Sequence, residues 1–167
     1  MRDAGTPMKD KERPVRMIWA GLLLGIGLGG FFDGIVLHQI LQWHHMLTTQ
    51  GNYPADTVAR LEINTLWDGL FHAATYVATI FGLFLLWNAA RLPHAPSSTR
   101  VLIGLLLMGW GGFNLVEGLV DHQILGIHHV NETVPREQWQ WWDLGFLAWG
   151  ALMLLGGWVM ARTGDQQ

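Results

Sequence analysis

Six of the eight histidines in this 167-residue chain fall in two stretches that read alike. The first runs Asp33-Gly34-Ile35-Val36-Leu37-His38-Gln39-Ile40-Leu41-Gln42-Trp43-His44-His45. The second runs Glu117-Gly118-Leu119-Val120-Asp121-His122-Gln123-Ile124-Leu125-Gly126-Ile127-His128-His129, offset by 84 residues at every matched position. Acid, Gly, His-Gln-Ile-Leu and His-His recur in register, while the residues between them drift. Imidazole and carboxylate are ligands for transition metals, and imidazole is also a haem axial ligand. The pattern points to a metal or a haem held between two related segments.

The elements that must carry these residues are apolar. Half of the chain is hydrophobic, 50%, and its few charges lie mostly between blocks at 18–41, 66–90, 101–125 and 144–161. Each block is about long enough to cross a ~30 Å hydrocarbon core at ~1.5 Å per residue. The expected fold is all-α: an integral membrane four-helix bundle. A soluble bundle would show a polar face on every helix, and 144–161 shows none. The first block is too long for a cleavable signal and carries the first motif copy. Net charge is −3 with no basic run, which argues against nucleic acid as a partner. The absence of cysteine excludes disulfides and thiolate-bound metal.

A second correspondence extends the repeat. Trp67-Asp68 and Trp142-Asp143 begin the second and fourth blocks at an offset of 75. The repeated unit is then a helical hairpin, 17–91 and 99–162, between tails at 1–16 and 163–167. Two hairpins of one orientation give a pseudo-two-fold axis along the membrane normal. Helix 1 is expected to run from Met17 to the His44-His45 pair, and helix 3 from Thr99 to His129. Asp56 or Thr57 is expected to cap helix 2. Eight of the ten Lys and Arg lie on the side of the termini, and only Arg60 and Arg136 lie on the other. That bias places both termini in the cytoplasm and the motifs near the outer leaflet.

Helical spacing sorts the candidate ligands. On an ideal α-helix His38 and His45 share a face but are ~10 Å apart along the axis, as are His122 and His129. Asp33 and His44 occupy a stripe roughly 140° from His38. Asp68 and His72, four apart, can reach one ion. The expected core ligands are therefore His38, His72 and His122, completed by Asp68 or Glu117. Asp33 and Glu117 serve as ligands or as orienting partners of a ligating His. His44, His45, His128 and His129 are expected above this layer, at the water boundary. The competing reading of His38 and His122 is a helix–helix contact hydrogen-bonded through Gln39 and Gln123. His94 falls in the inner loop, where water satisfies it.

The chain resembles an uncharacterised bacterial membrane family, domain of unknown function 2243. The resemblance rests on Asp33, Gly34, His38, Gln39 and His44-His45, and it covers residues from about 15 to 161. It implies four helices and no established activity. The expected location is a bacterial inner membrane. Three functions compete. A metal-binding membrane protein, copper-handling or redox, suits a His-rich, thiolate-free set, with zinc or iron as other candidates. Met46 beside the His pair adds a soft donor and favours copper. Such a centre could belong to a membrane metallo-oxidoreductase. A b-type haem protein would use His38 and His122 as axial ligands, but haem needs neither the carboxylates nor the His-His pairs. A non-enzymatic ion or proton conduit lacks ionisable residues in its inner half. The bilayer and a metal ion are the expected partners. Self-association and docking to a membrane redox complex stay open.

Overall fold

The hydrophobic blocks fold as helices from end to end. The structure, a computed structural model, describes residues 7–49, 53–91 and 98–164. Helix α1 spans Pro7–Phe32 and runs directly into a π-helical segment, Asp33–Ile40. Helix α2 spans Val58–Ala90. Helix α3 spans Thr99–Glu117 and ends in its own π-helical segment, Gly118–Ile124. A 3-10 turn, Arg136–Gln138, leads into α4, Trp139–Gly164. Four stretches are long and apolar enough to cross a membrane: Val15–Ile40, Val58–Ala90, Thr99–Ile124 and Arg136–Thr163. The described residues contain no strand.

The helix starts follow from their caps. Thr57 accepts a hydrogen bond from Arg60 N at 3.4 Å, and Ser98 accepts one from Val101 N at 3.3 Å. Each satisfies one of the amides that a helix start leaves without an internal partner. Helix α1 begins at Pro7, earlier than the apolar pattern alone suggests. His94 lies outside the described residues.

The ends of the first and third spans differ from the expectation. They stop at Ile40 and Ile124, short of the His-His pairs. Widening of the turn is the cause. Leu41 N bonds Val36 O at 2.8 Å and Trp43 N bonds Leu37 O at 2.9 Å. Leu125 N to Val120 O and Ile127 N to Asp121 O repeat these bonds at 2.8 and 2.9 Å. Gln42 at φ 50 and Gly126 at φ 59 then take left-handed backbone, which ends a helix. Both segments turn back, and the His-His pairs fold inward over the helix ends.

The spans do not close into a square. Helices α1 and α3 form a central pair, α2 packs on α1 and α4 packs on α3, while α2 and α4 do not touch. Glycines explain this order, because they let backbones approach without side chains between them. A Cβ on Gly25 would lie 2.8 Å from Gly109 Cα and Trp110 N, so α1 and α3 meet backbone to backbone. A Cβ on Gly104 would lie 2.6 Å from Gly157 O, so α3 and α4 do the same. Gly109→Leu must push main chain apart rather than displace a flexible side chain, and it is expected to destabilise the bundle severely. A cost of at least about 3 kcal/mol fits forced overpacking. Thermal unfolding in detergent checks this, with Gly156→Leu as the control, since nothing lies within 4 Å of a Cβ there.

Candidate metal centre

The π-helical segments decide which side chains meet. In an α-helix, residues five apart point away from each other. In a π-helix, with its i→i+5 hydrogen bonds, they overlie. Asp33 Oδ2 thus comes within 3.1 Å of His38 Nε2, and Glu117 Oε1 within 2.8 Å of His122 Nε2. The sequence-based stripe that set Asp33 apart from His38 is corrected by this rewinding. The helix break corrects the other spacing: His38 and His45 rings lie 6.4 Å apart, centre to centre.

His44 and His128, expected at the water boundary, are instead interior. Their exposures are 2% and 1%, and their rings stack at 4.5 Å with 8° between planes. His38 lies 4.3 Å from the His44 ring and 5.9 Å from the His128 ring. His122 lies 4.9 Å from His128 and 6.2 Å from His44. The four ring centres make a rough parallelogram, with the stacked pair between His38 and His122.

Three of the four outward nitrogens are tied down. His44 Nδ1 donates to Val130 O at 2.9 Å, and His128 Nδ1 to Met46 O at 3.2 Å. His38 Nδ1 donates to Asp68 Oδ1 at 2.9 Å. His122 Nδ1 lies 3.6 Å from Asp143 Oδ1, beyond hydrogen-bond reach, and is itself buried without a partner. A proton on Nδ1 leaves Nε2 as a lone pair, which is the form that binds a metal. Burial, and next the neighbouring His128, hold the His44 imidazole well below its ordinary pKa, so it stays neutral.

The inner atoms are left without hydrogen bonds. Among the described residues, Asp33 Oδ1, His38 Nε2, His44 Nε2, Glu117 Oε2 and His122 Nε2 are buried and unpartnered. His128 Nε2 faces Glu117 Oε1 at 3.0 Å. Buried polar atoms without partners are costly, and ring nitrogens that face carboxylates at this range are matched by a positive charge, either a proton on the ring or a metal ion. Ligand atoms of His38, His44 and His128 lie within 4.8 Å of one another, as do those of Glu117, His122 and His128. The donor set fits a metal, and His128 belongs to both groups.

A second set of side chains braces the first. Asp68 Oδ2 accepts from His45 Nδ1 at 2.7 Å and Gln39 Nε2 at 3.1 Å, and its Oδ1 accepts from Met46 N at 3.0 Å. Asp143 accepts from His129 Nδ1 at 2.7 Å, Val130 N at 3.0 Å and Gln123 Nε2 at 3.3 Å. Gln39 and Gln123 thus bond these carboxylates, not His38 and His122. Asp68 spends both oxygens on this bracing. His72 stands apart from both groups. Its ring stacks on Phe31 at 6.3 Å and lies against Gly34, with Nε2 buried and unpartnered. Asp68 and His72 therefore do not converge on one point. Asp143 is the member that ligand spacing alone did not select. The matched Trp67-Asp68 and Trp142-Asp143 pairs carry its signal.

A family model described as Predicted membrane protein (DUF2243) matches residues 20–164. No curated protein and no solved structure matches the chain.

Proposed function

The chain belongs to the DUF2243 family of predicted membrane proteins, and on that premise we propose that it is an integral membrane metal-binding protein. The centre is built from His38, His44, His122 and His128 with Asp33 and Glu117. Asp68, Asp143, His45 and His129 orient it. The observation that carries the reading is the set of inward Nε2 and carboxylate atoms, buried and without hydrogen-bond partners.

Charge supports it. Asp33, Asp68, Glu117 and Asp143 are at most 7% exposed, and the cationic partners that the structure shows for them are all imidazoles. Burying carboxylates near an apolar phase is costly unless something cancels their charge. Divalent cations at the Nε2 atoms would do so while the imidazoles stay neutral. Imidazole-rich sets suit copper, zinc and iron. Copper comes first, because it heads the affinity order for such donors. Copper handling or redox chemistry at such a centre is the function we assign. Haem fits less well, since the His44–His128 pair fills the space between His38 and His122.

The two halves are read as hairpins related by a pseudo-two-fold axis. The paired helix-end bonds, the paired left-handed residues and the reciprocal His44 and His128 bonds support that reading. The Lys and Arg bias supports an inner-membrane orientation with cytoplasmic termini and an outward-facing centre. A cysteine at Glu137 should react with an impermeant thiol reagent added to intact cells. Labelling only after lysis would reverse the orientation.

Elemental analysis of the detergent-purified protein tests the function itself. At least about one transition-metal ion per chain is expected to survive gel filtration, as for a site whose ligands are preassembled. A protein that stays folded and metal-free after incubation with copper, zinc and iron in turn would end the proposal.

A further inference from the structure

A cavity of about 470 Å³ opens on the side of the bundle between α1, α2 and α3. Its lining is apolar, from Ile26, Phe71, Phe113, Val116 and Val120, and only Glu117 and Asp121 are charged. Its mouth lies within the membrane-spanning stretches, beside Val116, which is 65% exposed. A molecule that enters here comes from the lipid.

Three features make it more than an apolar groove. Glu117 is 7% exposed, lines the cavity, and leaves Oε2 without a hydrogen-bond partner. Asp121 stands where the first copy has Leu37, and its carboxyl finds no hydrogen-bond partner among the described residues. Asp121 is half-buried near the end of its span, and a carboxyl within a membrane span is a functional candidate by default. The wall between cavity and metal centre is thin: Phe71 lines the cavity and stacks on His38 at 5.8 Å, and Glu117 contacts both His122 and His128.

We propose that this cavity binds a phenol: a neutral, membrane-dissolved molecule with an aromatic head, a hydroxyl donor and an apolar body. Its volume lies in the usual range for small-molecule sites. Phe71 and Phe113, with ring centres 6.0 Å apart, offer aromatic walls to the head. Asp121 accepts from the hydroxyl. The alkyl body leaves toward lipid past Val116. This inference deepens the metal-centre reading by naming the class of molecule presented to that centre.

Gly112 supplies a clean test. It lines the cavity, and nothing lies within 4 Å of a Cβ built there, so a leucine takes up cavity space without forcing the helices apart. The probe is a tritiated alkylphenol, dialysed to equilibrium against protein in lipid nanodiscs, with empty nanodiscs subtracted. Saturable binding of one phenol per chain is expected for the unmodified protein and for Gly156→Leu, which lies elsewhere with equally open space. Gly112→Leu should abolish it. Asp121→Leu and Asp121→Asn should weaken it about tenfold or more, the worth of a hydrogen bond to a charged acceptor. Thermal unfolding of each variant confirms the fold. Non-saturable uptake, equal binding by Gly112→Leu, or equal affinity for the matching alkylbenzene would overturn the proposal. Metal content is measured on the same samples. Metal without saturable phenol sinks the cavity reading alone, and phenol without metal sinks the centre alone.

Discussion

His44→Ala and His128→Ala are expected to empty the metal centre as completely as His38→Ala and His122→Ala. Sequence spacing puts His44 at a wet rim, where its loss would be mild. The structure buries it to 2% exposure and stacks it on His128 at 4.5 Å. Its Nδ1 is fixed by Val130 O, and its Nε2 has no other partner. Each alanine removes an inward nitrogen and leaves a carbonyl, Val130 O or Met46 O, without its donor. Metal affinity should fall by about a hundredfold or more, beyond the range seen for orienting partners. His72→Ala should keep its metal, because His72 lies outside both ligand groups. Metal content and competition titration of these variants decide the matter. If His44→Ala is folded and fully loaded while His72→Ala is empty, the ligands are not His38, His44, His122 and His128.

Asp68→Asn should be nearly as severe through a different route. Asp68 touches no proposed metal position, yet it receives His38, His45, Gln39 and the Met46 amide. An amide in its place turns one acceptor into a donor that faces donors. His38 would lose the bond that fixes its tautomer. Affinity should drop about 10–100-fold. The metal-free protein should lose about 3 kcal/mol, the scale for breaking a buried charged network. Asp143→Asn should cost less in affinity, because His122 Nδ1 already lies 3.6 Å from its oxygen. A pair of isothermal titrations and melts separates the two. Equal losses at both positions, or none at Asp68, would show that these carboxylates do not orient the histidines.

The spans were legible because apolar length is a property of composition, and each expected block falls on one observed span. The residues of the centre were legible as a set, since six of the eight histidines repeat with their acids. Their grouping was not. Spacing arguments assume 3.6 residues per turn through Asp33 and Glu117, where the turn in fact widens. The clue was present: an acid five residues before a histidine, twice, is wasted on an α-helix and in contact on a π-helix. Gly126 likewise marks a helix stop, whereas Gln42, in the same left-handed conformation, gives no such signal. His44 could be assigned only with its ring partner known, and that partner lies on the other half of the chain. Nothing in residue spacing connects position 44 to Val130.

That last contact bears on how the protein is made. His44 bonds the backbone of the second half, and His128 bonds the backbone of the first. Glu132 N reaches Trp43 O and Thr49 N reaches Ile127 O across the same seam. Membrane helices insert one by one and dock afterwards. A nascent chain with only α1 and α2 in the bilayer therefore holds half of the nitrogens and lacks the Val130 carbonyl that aims His44. The pocket comes into being at the docking of α3 on α1, after synthesis has passed the second loop. On the proposed reading, ion loading would then wait for the final stage of biogenesis, when the chain is committed to its finished form.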